Sequence, residues 1–167
     1  MNKRRSSRAM LLNPYDQMLW LSVAGDIGRG GITPFWSVPG GGLEEGESFE
    51  AALRREMREE LGLQTLASGL HVATFEGLTQ WGGRWYDNDS RFYVLRVDQA
   101  EFSSAGHTQL ERDTVRGYRW WGYEEIRASS ELFLPKAIVD VLGEVVGGSW
   151  DGVVRTIGPE PHTLPSG

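Results

Sequence analysis

The chain has 167 residues, of which 40% are hydrophobic and 24% charged, and its formal net charge is −6. That length suits one domain with a substantial core, while the acidic balance excludes a broad basic face for gripping duplex nucleic acid. Cysteine is absent, which excludes disulfides and thiolate zinc sites.

Lys3, Arg4, Arg5 and Arg8 form a basic leader, and residues 1–7 are expected to be a flexible arm. No apolar run approaches the ~18 residues of a spanning helix, and no apolar segment follows the leader as in a secretory signal. No membrane partner is therefore expected, and the cytoplasm is the expected compartment. Ala9 to Leu12 and Met18 to Val23 read as strands joined by a turn at Asn13-Pro14-Tyr15-Asp16. Gly25 to Pro34 reads as glycine-rich loop, and Phe35 to Val38 as a short strand ended by Pro39, Gly40, Gly41 and Gly42. A helix over Ser48 to Leu61 follows, with Ser48 or Glu47 near its N-cap and Gly62 just past its last turn.

Val72 to Leu78 and Trp85 to Val97 form an antiparallel pair, in which Phe92, Tyr93, Val94, Leu95 and Val97 carry the β signal. Ala100 to Arg112 is polar loop, Tyr118 to Trp121 a last short strand and Glu124 to Ala128 a helical turn. Pro135 opens a closing helix, where Ala137, Ile138, Val141, Leu142, Val145 and Val146 keep a helical period. Residues 8–146 thus make the domain, and 147–167, rich in Gly, Pro and Ser, a loosely ordered tail. Strands interrupted by a few helices indicate a mixed α/β sandwich.

The acidic helix is the informative element. At ~100° per residue, Phe49 and Leu53 define its inward face. Glu56 and Glu60 fall on nearly the same bearing, with Glu59 to one side. Acids at these spacings repel one another, and burying an unpaired carboxylate is costly. A hard divalent cation with oxygen ligands removes both penalties.

Gly41, five residues, Glu47, seven residues and then Arg55-Glu56-Met57-Arg58-Glu59-Glu60-Leu61-Gly62-Leu63 occupy every fixed position of the Nudix box. The chain therefore resembles the Nudix (MutT-like) hydrolases. The resemblance implies an α/β/α sandwich with a mixed sheet and hydrolysis of a nucleoside diphosphate linked to another moiety, by water attack on phosphorus. It implies Mg²⁺ or Mn²⁺ held by Glu56, Glu59 and Glu60, with the Gly40 carbonyl as a further ligand. It makes Glu59 and Glu60 catalytic through that ion, and casts Gly41, Glu47, Arg55 and Gly62 as supports of the box. The general base in many members is a loop glutamate, for which Glu111 is the candidate; His71 and His107 are weaker ones.

Trp81, Arg84, Trp85 and Tyr86 interleave aromatic and basic character as a base-stacking site would. The alternative is a hairpin whose aromatics pair across strands or form a dimer interface, so a second copy of the chain is a candidate partner. The default substrates are (d)NTPs or modified nucleotides. A nucleotide-sensing module without turnover and an RNA 5′-end or cap hydrolase are the alternatives.

Overall fold

The computed structural model describes residues 3–64, 66–98 and 115–159. Its first strand, β1 (Lys3–Leu12), is polar in its first half and apolar in its second. Side chains alternate along a strand, so Met10 and Leu12 face one side of the sheet and Ala9 and Leu11 the other; all four are fully buried. After β1 come β2 (Met18–Asp26), β3 (Ile32–Ser37), β4 (Gly40–Gly42), α1 (Phe49–Leu61) and the long hairpin of β5 (Leu70–Trp81) and β6 (Arg84–Arg96). The chain continues through β7 (Val115–Trp121), α2 (Tyr123–Ala128), β8 (Phe133–Leu134), α3 (Lys136–Val146) and β9 (Arg155–Ile157).

The described strands make one mixed sheet in the order β8-β3-β2-β1-β6-β5-β9, with β4 beside β1 and β7 beside β2. Helices cover both faces. On one side Phe49, Leu53, Met57 and Leu61 of α1 pack on Ala9, Leu11, Leu19 and Leu21. On the other, Ile138, Val141 and Leu142 of α3 pack on Met10, Leu12, Met18 and Trp20. This is the expected α/β/α sandwich. Each fully buried side chain of this size contributes about 1.5–3 kcal/mol, so the two clusters hold the helices in place.

Caps fix the ends of α1. The Ser48 hydroxyl accepts from the Ala51 N–H at 3.1 Å, and Gly62, at φ 68°, turns the chain while its N–H donates to the Arg58 carbonyl. Only glycine adopts that left-handed conformation without steric cost.

Three boundaries differ from expectation. Residues 3–7 are strand, not a free arm, because their short hydroxyls find partners inside: Ser6 shares a 2.6 Å hydrogen bond with Ser90, and Ser7 donates to the Phe49 carbonyl at 2.6 Å. The loop expected over 25–34 is confined to 27–31, since β2 runs on to Asp26 and β3 begins at Ile32. The segment after residue 146 also carries structure. Its β9 lies parallel to β5, and Arg155 there pairs with Glu144 and Asp151, each at 2.8 Å.

Candidate active site

The inward face of α1 changes from apolar to acidic over its last two turns. Phe49, Leu53 and Met57 are buried, and so are Glu56 and Glu60, at 7% and 8% exposure. Glu59 is turned aside, with 38% of its side chain exposed. The bearings expected from helical spacing are those observed.

Arg55 organises the acids around it. Its Nε and Nη2 donate to the two oxygens of Glu47 at 2.9 and 2.8 Å, a bidentate clasp across the loop–helix junction. Nη2 also donates to the Gly42 carbonyl at 2.8 Å, and Nη1 to Glu56 at 2.8 Å and Glu59 at 3.4 Å. Hydrogen bonding from Arg55 holds the Glu47 carboxyl down to about 2. Glu56 behaves differently: burial pushes its carboxyl up from the ordinary value, against the pull of Arg55.

The strand β4 brings glycine backbone onto this wall. The Gly40 N–H donates to Glu60 Oε2 at 3.3 Å. A Cβ at Gly40, whose φ is 144°, would sit 2.0 Å from the Ser7 carbonyl oxygen. One at Gly41 would lie 2.3 Å from Glu56 Oε1. The first glycine is required by the fold, and the second leaves room for a carboxylate.

These groups border a cavity of about 550 Å³. Gly40, Gly41, Glu56 and Glu60 line it, as do Arg4 and Arg8 of β1, Phe35 of β3, Trp81 of β5 and Asn88 of β6. Phe35 and Trp81 meet edge to face at 6.1 Å, giving the cavity an aromatic side. A site with carboxylates at one place and aromatic rings at another suits a polar ligand that carries a flat ring.

The model of the NUDIX domain matches residues 2–141. The chain belongs to the NUDIX family. The nucleoside triphosphatases NudI of Escherichia coli (strain K12 / DH10B) and Salmonella newport are 51% identical to it over 47 residues, which are 28% of this chain and 33% of theirs. The match thus spans about a third of the length of those relatives. The MutT NUDIX hydrolase of Burkholderia pseudomallei superposes with a TM-score of 0.63 at 20% identity, over 87% of this chain and 99% of that one. The mutator MutT protein of Bacillus halodurans superposes at 0.57 and 18% identity, over 96% and 93%. These two likenesses are likenesses of fold.

Within this NUDIX domain, the structure gathers Gly40, Gly41, Glu47, Arg55, Glu56 and Glu60 around one wall, with Glu59 beside it and Gly62 capping the helix that carries them. Of the four hairpin residues, Trp81 lines the cavity, whereas Arg84, Trp85 and Tyr86 do not border it. Strand alternation turns Trp85 to the face opposite Trp81. Trp81 pairs with Arg84 at the tip, and Tyr86 lies beneath the Arg4 guanidinium at 5.4 Å. His71 is occupied by the Ala73 carbonyl and the Thr74 hydroxyl, at 3.1 and 3.0 Å. Glu111 and His107 lie outside the described residues.

Sequence reasoning missed Arg8 and Asn88. A signal for Arg8 existed in the sequence: it is a charge directly preceding the apolar run Ala9 to Leu12.

The donor set fits a hard divalent ion such as Mg²⁺ or Mn²⁺, because every group it offers is oxygen. Glu56 and Glu60 would provide it, with Glu59 and the Gly40 carbonyl, which accepts from Arg8 at 3.3 Å, as further candidates, and the missing Cβ of Gly41 leaves the approach open. Among the described residues, no three His, Asp or Glu side chains are already converged as a ligand set. Glu59 leans on Arg55 instead.

Proposed function

We propose that this chain is a divalent-cation-dependent pyrophosphohydrolase. It cleaves a nucleoside diphosphate linked to another moiety, with (d)NTPs or modified nucleotides as the substrate class, by water attack on phosphorus. One observation carries the reading: two buried carboxylates, Glu56 and Glu60, share the wall of an aromatic-lined cavity with glycine backbone. The name of the NudI relatives, nucleoside triphosphatase, points to the same substrate class.

Glu56, Glu59 and Glu60, with the Gly40 carbonyl, would hold Mg²⁺ or Mn²⁺. When bound, such an ion neutralises a diphosphate bridge and acidifies the attacking water. The residues of the chain do the rest. Arg55 and Glu47 fix the turn that presents the glycines, so the wall keeps its shape between turnovers. Trp81 and Phe35 offer flat faces to a base, whose stacking is worth about 1–3 kcal/mol. Glu111 is the proposed general base. The cytoplasm is the proposed compartment, since it supplies both nucleotides and Mg²⁺.

The test is a phosphate-release screen with added inorganic pyrophosphatase, over nucleoside triphosphates, modified nucleotides and capped or triphosphorylated RNA, each with Mg²⁺ or Mn²⁺. Turnover of small nucleotides that stops on chelation supports the reading. Tight nucleotide binding without turnover on any substrate would favour a sensor, and turnover of RNA alone an RNA 5′-end hydrolase.

A further inference from the structure

β1 and β6 run parallel, and their register sets Arg4 beside Asn88, Ser6 beside Ser90 and Arg8 beside Phe92. Strand alternation places Arg4, Ser6 and Arg8 on the face that continues as the buried Met10 and Leu12. An inner face that is cationic in its first half and apolar in its second is costly unless the charges meet something. Ser6 and Ser90 satisfy each other at 2.6 Å. The two arginines border the cavity.

Arg8 commits a single nitrogen to the protein. Its Nη1 donates to the Val38 carbonyl at 3.2 Å and the Gly40 carbonyl at 3.3 Å. Its Nε–H and Nη2–H groups have no protein acceptor among the described residues. Nor are they sealed in: the side-chain polar atoms buried without a partner there are the indole nitrogens of Trp20 and Trp121. The unused donors of Arg8 therefore open on the cavity. An anion between Arg4 and Arg8 would accept from the open donors and offset two like charges that border one cavity.

We propose that Arg8, seconded by Arg4, is the anion-binding end of the cavity, where its free N–H groups hold a non-bridging oxygen of the substrate's phosphate chain. The identity of that anion rests on the pyrophosphohydrolase reading. The N–H fork of a guanidinium matches two phosphate oxygens in a way an ammonium cannot. This gives the cavity three chemically distinct stations: acids beside the glycines, aromatics at Phe35 and Trp81, and a cationic strand along β1.

The competing role for Arg8 is a strut that ties β1 to the β3–β4 corner through two carbonyls. Calorimetric binding of inorganic tripolyphosphate to the full chain in Mg²⁺ separates the two, using Arg8→Gln, Arg8→Lys and Arg4→Gln alongside thermal melts. Anion binding predicts a loss of about 10- to 100-fold in tripolyphosphate affinity for Arg8→Gln, a smaller loss for Arg8→Lys and for Arg4→Gln, and a nucleotide KM that rises more than kcat falls. If Arg8→Gln fails to fold, Arg8→Lys carries the same comparison. Arg8 variants that bind tripolyphosphate as tightly as wild type, or a wild type that does not bind it, would overturn the assignment. A wild type inactive on every phosphoanhydride, whose tripolyphosphate binding still falls in Arg8→Gln, would sink the catalytic reading and leave the anion site standing.

Discussion

Arg55 clasps Glu47 through two parallel hydrogen bonds of 2.9 and 2.8 Å, eight residues apart in sequence and on opposite sides of a loop–helix junction. The same guanidinium reaches Gly42, Glu56 and Glu59. Arg55→Ala therefore strands three carboxylates and a carbonyl at once. Thermal melting should show a loss of about 2–3 kcal/mol, or ~5–10 °C for a domain of this size. A variant that melts with wild type would deny the clasp its supporting role.

Glu47 gives that clasp a pH signature. Its folded carboxyl sits at about 2, against ~4.3 for an unperturbed glutamate. A depressed pKa contributes stability that is present above the unfolded value and is lost as pH falls toward the folded one. The melting temperature of wild type should thus fall toward that of Glu47→Gln as the pH drops from ~4.3 to ~2. A gap between the two proteins that stays constant over that window would contradict the argument.

Neighbouring glycines should fail in different ways. Gly40→Ala places a Cβ against the Ser7 carbonyl at a φ that side chains rarely adopt, so stability should fall by about 2–4 kcal/mol. Gly41→Ala meets only the carboxylate of Glu56. It should fold with little loss but lose most of its activity and its thermal response to Mg²⁺. Reading melts and turnover together checks both halves of the contrast.

Trp81→Ala removes one aromatic face from the cavity while leaving the acidic wall intact. Loss of base stacking, worth about 1–3 kcal/mol, should raise the nucleotide KM several-fold and leave kcat nearly unchanged. An equal fall in kcat would show that Trp81 acts on the reacting centre.

The acidic wall was legible because it is local. Caps, helical period and the spacing from Gly41 to Leu63 all lie within one continuous segment, and Ser48 and Gly62 stand where capping chemistry places them. The layers of the sandwich followed from the apolar patterning of β1, β6 and α3. The meeting of Arg8 and Asn88 at one cavity was not legible, because the parallel β1–β6 register behind it joins residues some eighty positions apart. Residues 3–7 looked like an arm because serine and arginine carry little strand signal, yet Ser6 and Ser7 bury their hydroxyls on distant partners. The strand β9 has three residues and no periodicity; its parallel place beside β5 is a tertiary choice. Trp81 parts from Trp85 through the hairpin's alternation, and from Tyr86, which shares its face, because Tyr86 packs beneath Arg4.

The most direct test of the acidic wall is calorimetric titration of Mn²⁺ into wild type, Glu56→Gln and Glu60→Gln, followed by thermal melts in the same ion. Wild type should bind the ion and, at ~100-fold excess over its Kd, gain about 2.7 kcal/mol; both variants should stay folded, bind weakly and lose at least about 100-fold in turnover. Equal Mn²⁺ affinity and equal stabilisation in all three proteins would contradict the assignment of these carboxylates to a cation.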